Sequence, residues 1–256
     1  MKKSSLLLSI SLITTASPVW ANEPSRVSHH KDTYLLPLYK ESRVNQARFE
    51  PLSPDGGKVH DIFVQFQISL KYHLLGNHEE GVFLAYTQKS NWEAYASSAY
   101  FRDNDFNPEL FYNKKFKHFD AAFGVEHQSN GAGGSNEVSW NRAYVNVTYH
   151  FPQGFIRIKP WIRIHDSKDY NPDITDFLGH GEFVFGWQPT DEQEVKLLTR
   201  NIIESGFDKP YGELSWNFKI YQGLRGYLKA ESGYGATISN YNFKESAFGL
   251  GIDIKF

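Results

Sequence analysis

Two stretches of this chain contain residue types that could do chemistry together: His127-Gln128-Ser129-Asn130-Gly131 and Ser139-Trp140-Asn141-Arg142. A serine hydroxyl becomes a nucleophile when an imidazole takes its proton. The imidazole works best when a third group holds its far nitrogen. Each stretch lies in a run that alternates apolar and polar residues, as a β-strand with two unlike faces does. Phe123, Val125, His127 and Ser129 share one face of the first run. Asn141, Ala143, Val145, Val147, Tyr149 and Phe151 share one face of the second. His127, Ser129 and Asn141 therefore fall on apolar faces, where polar groups are costly unless they partner one another. That placement suggests a hydrolase drawing its substrate from lipid.

The spacing allows such an arrangement. Residues two apart on a strand emerge on the same face, about 6–7 Å apart at Cα, which puts Ser129 beside His127. Asn141 opens the next strand after a connection of roughly nine residues, so antiparallel pairing returns it to His127. One ring nitrogen can then take the Ser129 proton while the other donates to the Asn141 side-chain oxygen. A neutral amide orients the ring but stabilises an imidazolium less than a carboxylate does. Such a site therefore needs strong oxyanion stabilisation.

The elements that must hold these residues alternate along nearly the whole chain. Ile62, Val64, Phe66, Ile68, Leu70, Tyr72 and Leu74 oppose Asp61, Gln65, Gln67, Ser69, Lys71 and His73. Ile156, Ile158, Ile162 and Ile164 oppose Arg157, Lys159, Arg163 and His165. Phe248, Leu250, Ile252, Ile254 and Phe256 oppose Gly249, Gly251, Asp253 and Lys255. Strands are expected over 33–42, 60–76, 80–92, 105–114, 119–130, 139–151, 154–166, 177–188, 192–202, 210–221, 222–235 and 243–256. Twelve is an even number, as an up-and-down transmembrane barrel requires. Pro37 interrupts the first of them. Connections 93–104, 131–138 and 167–176 are long enough for extracellular loops, and Pro152-Gln153-Gly154 for a periplasmic turn. Arg142, Lys159, Arg163 and Glu126 are expected to form a charge network filling a narrow lumen.

Composition supports an all-β, twelve-stranded antiparallel transmembrane β-barrel. The mean hydropathy of −0.50 and the lack of a later long apolar run exclude a helical membrane protein. Yet aromatic residues make up 16% of the chain, consistent with the girdles of such barrels. With no cysteine there is no disulfide scaffold or thiolate metal site. A net charge of −2 gives no basic footprint, so nucleic acid is not an expected partner. Lys2 and Lys3, the apolar run Leu6 to Ile13 and Val19-Trp20-Ala21 read as a secretory signal peptide over residues 1–21. Residues 22–32 are expected to be a mobile N-terminal tail, and residues 33–256 an outer-membrane barrel domain.

Several blocks resemble the outer-membrane phospholipase A enzymes of Gram-negative bacteria. They are Tyr86-Thr87-Gln88-Lys89-Ser90, His127-x-Ser129-Asn130-Gly131, Ser139-Trp140-Asn141-Arg142, Lys159-Pro160-Trp161, Asn171-Pro172-Asp173-Ile174-Thr175, Ser232-Gly233-Tyr234-Gly235 and Tyr241-Asn242-Phe243. They occur in the family's order and span about residues 60–256. The resemblance implies a site on the lipid-facing wall near the extracellular rim, hydrolysing sn-1 and sn-2 acyl esters of membrane phospholipids. Ser129 would be the nucleophile, His127 the base and acid, Asn141 the orienting residue and Gly131 N–H an oxyanion donor. It also implies Ca²⁺ as cofactor and a homodimer as the active state, with Gln88 hydrogen-bonding across the interface. Alone on a lipid face, that amide would cost several kcal/mol.

Ca²⁺ takes hard oxygen ligands, and the family's positions fall on Ser98, on the Ala132 carbonyl, on Glu137 where the family has a serine, and on Asp169. Gly134 stands where the family often places an aspartate. Two alternatives stay open from the residues themselves. One is a passive, porin-like barrel; the other is a barrel enzyme that modifies lipopolysaccharide acyl chains.

Overall fold

The computed structural model describes residues 25–254 except Asp55 and His78. The signal-peptide reading of residues 1–21 lies outside the described residues, as does the terminal Phe256. The described chain contains β1 (Val27–His29), β2 (Tyr34–Glu41), the short helix α1 (Gln46–Phe49), β3 (Ile62–Gly76), β4 (Glu80–Glu93), β5 (Tyr100–Lys115), β6 (Phe119–Ser129) and β7 (Ser139–Phe151). These are followed by β8 (Gly154–Ile164), β9 (Gly181–Thr190), β10 (Gln193–Arg200), β11 (Tyr211–Tyr221), β12 (Leu224–Tyr234) and β13 (Lys244–Ile254). Strands β2 to β13 pair antiparallel with their chain neighbours, and β13 pairs with β2, so twelve strands close into a barrel. Closure leaves the twelve wall strands without a free edge along the barrel, which a lipid-exposed sheet cannot otherwise tolerate.

The wall is inverted relative to a soluble barrel. Ile68, Leu84, Leu110, Phe123, Val125, Ile162, Leu214 and Phe248 are exposed on the outside, while Gln65, Arg102, Glu109, Glu126, Lys229 and Glu231 are buried within. Arginine and lysine side chains buried inside are paired: Arg102 meets Glu41 at 2.6 Å and Glu93 at 3.0 Å, and Lys229 meets Glu231 at 3.0 Å. Removing one partner would strand a buried charge. The expected lumenal network holds for Arg142, Glu126 and Lys159, at 3.1 Å and 3.0 Å. Arg163 departs from it. Its guanidinium reaches Asp169 at 2.6 Å and the Pro172 carbonyl at 3.2 Å, at the rim.

Three elements differ from the periodicity reading. Residues 25–32, expected to belong to a tail, contain β1, whose Val27, Ser28 and His29 pair with Tyr72, Lys71 and Leu70. The following residues turn into the lumen, where Lys31 Nζ meets Glu109 at 2.7 Å and Asp32 pairs with Lys196. Their polar character suits a charged barrel interior as well as it suits a solvated tail. The strand expected from residue 177 begins at Gly181 because α2 (Ile174–Leu178) precedes it. Ile174 and Leu178 are one helical turn apart, so both bury on the same side. The connection expected over 93–104 is shorter, because β5 starts at Tyr100.

Buried aromatic and aliphatic residues cap the end of the barrel where β6 and β7 are joined by the loop after Ser129. Trp140, Trp161, Ile174, Leu178, Ile238 and Tyr241 form one cluster. Trp161 Nε1 donates to the Gly179 carbonyl at 2.8 Å, and Tyr241 Oη donates to Asp173 at 2.7 Å. Burial, followed by that bond to Asp173, pushes the Tyr241 phenol above its ordinary pKa, so it remains a donor. The loops around the candidate site thus rest on a packed floor.

Candidate active site

Strands β6 and β7 bring the two sequence blocks together in register, with His127 opposite Asn141 and Ser129 opposite Ser139. His127 Nδ1 and Asn141 Oδ1 lie 2.8 Å apart. The amide oxygen can only accept, so Nδ1 carries the proton and Nε2 is left as the acceptor. His127 is exposed on the outer wall, and Asn141 and Ser129 are half-buried beside it. Among the described residues no hydrogen bond joins Ser129 Oγ to His127. Catalytic bonds of this kind often tighten only when substrate arrives.

The opposite face of β6 is clamped from the lumen. Gln128, between His127 and Ser129, donates its amide to both Asp105 oxygens at 2.9 Å. Its oxygen accepts from Trp140 Nε1 and from Arg142 Nη2, each at 3.0 Å. Four bonds to one side chain fix the strand that carries both reactive residues.

Past Ser129 the chain enters the loop that holds Gly131. Gly131 has φ of +67°, and a Cβ there would sit 2.7 Å from a ring carbon of Phe106, so this turn requires glycine. Asn130 is the internal strut of the loop. Its Oδ1 accepts from Ala132 N at 3.2 Å and Val138 N at 3.1 Å, and its Nδ2 donates to the Asn136 carbonyl at 2.9 Å and Ser239 Oγ at 3.0 Å. Asn171, also buried, accepts from Ser139 N at 2.9 Å and takes Asp169 Oδ1 on its own N–H at 3.0 Å. Neither asparagine stood out by spacing as a functional residue. Their signal in the sequence is an amide beside a glycine or proline in a loop, which is common to turns in general.

Of the residues read as calcium ligands, Glu137 and Asp169 line one pocket at the rim beside Asn141. Among the described residues no group of three or more His, Asp or Glu side chains is placed to hold a metal. Ala132 and Glu137 share the loop after Ser129, and Glu137 accepts from Ser139 Oγ at 2.9 Å while remaining half-buried. Asp169 is engaged by Arg163, and Ser98 is exposed in the β4–β5 connection. The donors are hard oxygens of the right chemistry, with a carboxylate and a carbonyl close together on one loop.

Gln88 faces outward as expected, but its amide is not unpartnered. It accepts from Tyr86 Oη at 3.1 Å and donates to Ser90 Oγ at 3.0 Å, and Ser90 donates on to Asn104 at 2.7 Å. This short polar strip offsets within the chain the cost foreseen from sequence.

An inverted barrel with a His–Asn pair and a serine on its lipid-facing wall belongs to the class of outer-membrane lipid hydrolases. A family model described as phospholipase A1 matches residues 14–254. The chain belongs to this phospholipase A1 family, and with it to the outer-membrane phospholipases. It is 29% identical over 246 residues to a phospholipase A1 of Proteus vulgaris, covering 90% of this chain and 82% of that one. It spans 64% of the length of a Neisseria meningitidis relative that is 30% identical over 252 residues.

Two solved structures superpose closely. One is the outer membrane phospholipase A of Escherichia coli in a form with an active-site asparagine replaced by alanine, at TM-score 0.83 and 25% identity, covering 91% of this chain and 93% of that one. The other is the Salmonella typhi outer membrane phospholipase dimer with bound calcium, at TM-score 0.82 and 26% identity, covering 91% and 94%. The fold and family place the chain with outer-membrane phospholipase enzymes, away from the passive barrel and the lipopolysaccharide-modifying enzyme.

Proposed function

We propose that this chain hydrolyses the sn-1 and sn-2 acyl esters of glycerophospholipids by a Ser129-His127-Asn141 mechanism on the outer wall. The observation that carries the reading is the 2.8 Å contact between His127 Nδ1 and Asn141 Oδ1, which leaves Nε2 free on the face that bears Ser129. Ser129 Oγ attacks the ester carbonyl as its proton passes to His127 Nε2. Asn141 holds the ring in that tautomer through the step. The Gly131 N–H, in a turn braced by Asn130, offers a donor to the developing oxyanion. His127 then returns the proton to the leaving lysolipid oxygen, and a water repeats the sequence on the acyl-enzyme.

An outward groove of about 700 Å³ runs down the wall from the site, lined by Leu110, Phe123, Val125, Ala143, Val145 and Ile162. Val125 and Ala143 are the next outward residues below His127 and Asn141, so an acyl chain can lie along the wall from the reacting ester.

Ca²⁺ is proposed as the cofactor, held by the Ala132 carbonyl and Glu137 with Ser98 and Asp169 as further ligands. When bound it would supply positive charge for oxyanion stabilisation. The calcium-bound Salmonella typhi dimer supports both this and a homodimeric active state. The active-site asparagine of the Escherichia coli protein supports the role given to Asn141. Residues 1–21 are proposed as the cleaved signal peptide.

Replacing Ser129 with Ala tests the reading directly. The variant should refold to a heat-modifiable barrel with no fatty-acid release from phospholipid micelles, and a sulfonyl fluoride should label only the unmutated protein. Retained hydrolysis would remove Ser129 from the mechanism.

A further inference from the structure

The ladder between β5 and β6 has a gap directly behind the candidate base. Phe106 pairs with Ser129 and Glu109 with Glu126, but Asn107, Pro108, His127 and Gln128 are skipped. The register is the same on both sides of the gap, so no residue is inserted. Pro108 simply falls opposite His127. On its other side β5 is unbroken, with Tyr86 paired to Pro108 and Thr87 to Asn107. In an antiparallel ladder each residue directs its N–H and C=O to the same neighbour. The break on one side alone means that the backbone nitrogen of Pro108 faces β6. Proline has no N–H, so the carbonyl of His127 lacks its ladder donor.

A side chain replaces it. Asn107 Nδ2 donates to the His127 carbonyl at 2.8 Å. The same amide group reaches Glu126 Oε2 at 3.3 Å. Asn107 Oδ1 in turn accepts from Lys31 Nζ at 2.8 Å. A lysine ammonium can only donate, so the atom it meets must be the oxygen, and the nitrogen must be the one facing His127. Asn107 is 5% exposed, so its amide has no ready substitute in water.

We infer that Asn107 is a positioning residue for the reaction: its side-chain amide, locked by Lys31 of the lumenal N-terminal segment, holds the His127 backbone where Pro108 leaves the sheet open. This rests on the reading of His127 as general base. The imidazole must sit within hydrogen-bond reach of Ser129 Oγ on one side and Asn141 on the other. A shift of its Cα toward or away from β7 would disturb both contacts. Pro108, for its part, leaves a rigid ring rather than a flexible side chain on the outer wall next to the site.

The test uses the proline itself. In Asn107→Leu, kcat for phospholipid micelles with Ca²⁺ should fall roughly tenfold with KM unchanged, a loss equivalent to about one hydrogen bond at 1.36 kcal/mol per tenfold. Pro108→Ala restores a backbone N–H aimed at the His127 carbonyl and should run near the unmutated rate. The double variant Asn107→Leu/Pro108→Ala should recover to within about twofold of Pro108→Ala alone. A role in packing or folding alone would predict no such rescue. The ¹⁵N shifts of the His127 ring in detergent micelles should move in Asn107→Leu and return in the double variant, which reports on the base independently of turnover.

Lys31→Met keeps Asn107 but frees its amide, and should give a smaller loss of the same kind. It serves in place of Asn107→Leu if that variant does not refold. Equal loss in the single and double variants, or no loss with unmoved ¹⁵N shifts, would overturn the inference. Hydrolysis retained in His127→Ala would instead remove the base reading, a result separable from the ¹⁵N response.

Discussion

Replacing Asn130 with Asp separates loop support from direct chemistry, because the two side chains have nearly the same shape. Asn130 makes four bonds at 2.9–3.2 Å, two as acceptor and two as donor. A carboxylate keeps the acceptor bonds to Ala132 N and Val138 N. It loses the donor bonds to the Asn136 carbonyl and Ser239 Oγ, and its charge is placed against that carbonyl in a buried setting. Each lost bond is worth about 0.5–1.5 kcal/mol, so the ordered loop should lose about 1–3 kcal/mol. If the Gly131 N–H contributes only while the loop is ordered, and the loop is ordered by a small margin, that range sets a fall in kcat of up to roughly 5- to 150-fold. The assay is fatty-acid release at saturating micellar substrate, paired with hydrogen exchange over residues 131–138. Exchange there should quicken while β6 and β7 stay protected. Lowering the pH should raise the protection factors there again, relative to the intrinsic exchange rate at each pH, because a protonated acid regains one donor. Wild-type kcat together with faster exchange would refute the link from loop order to the oxyanion. Unchanged exchange would refute the strut itself.

Asn141→Ala should lower kcat more than it changes KM, since ring orientation matters most in the transition state, whereas Asn141→Asp should keep appreciable activity because either oxygen can accept the Nδ1 proton. Equal turnover in Asn141→Ala would reduce that residue to part of the strand. A chelator should abolish activity without unfolding the barrel, and added Ca²⁺ should restore activity and shift cross-linking toward dimer. Full activity from a chelated monomer would leave a calcium-independent hydrolase. Gln88→Ala should weaken the dimer by about 1 kcal/mol at most, because Tyr86 and Ser90 already satisfy much of that amide within one chain.

The inverted barrel was legible from sequence because it depends on period two alone. Every run that opposed bulky apolar residues to charged ones became a wall strand, and the same alternation put His127, Ser129 and Asn141 on the outer face. One connection of roughly nine residues joins β6 and β7, and antiparallel return across it is enough to bring Asn141 back to His127. Helix α2 escaped the same reading because five residues are too few to show a helical period next to a strand.

The tertiary structure alone decided which distant groups support the site. Lys31 reaches Asn107 across 76 residues, and Ser239 meets Asn130 across 109. Contacts at that separation depend on barrel closure, which no local pattern encodes. Lys31, by its charge alone, is equally at home in a solvated tail. Only the closed lumen, where Glu109 waits buried, gives it a partner and gives the asparagine behind His127 a fixed direction.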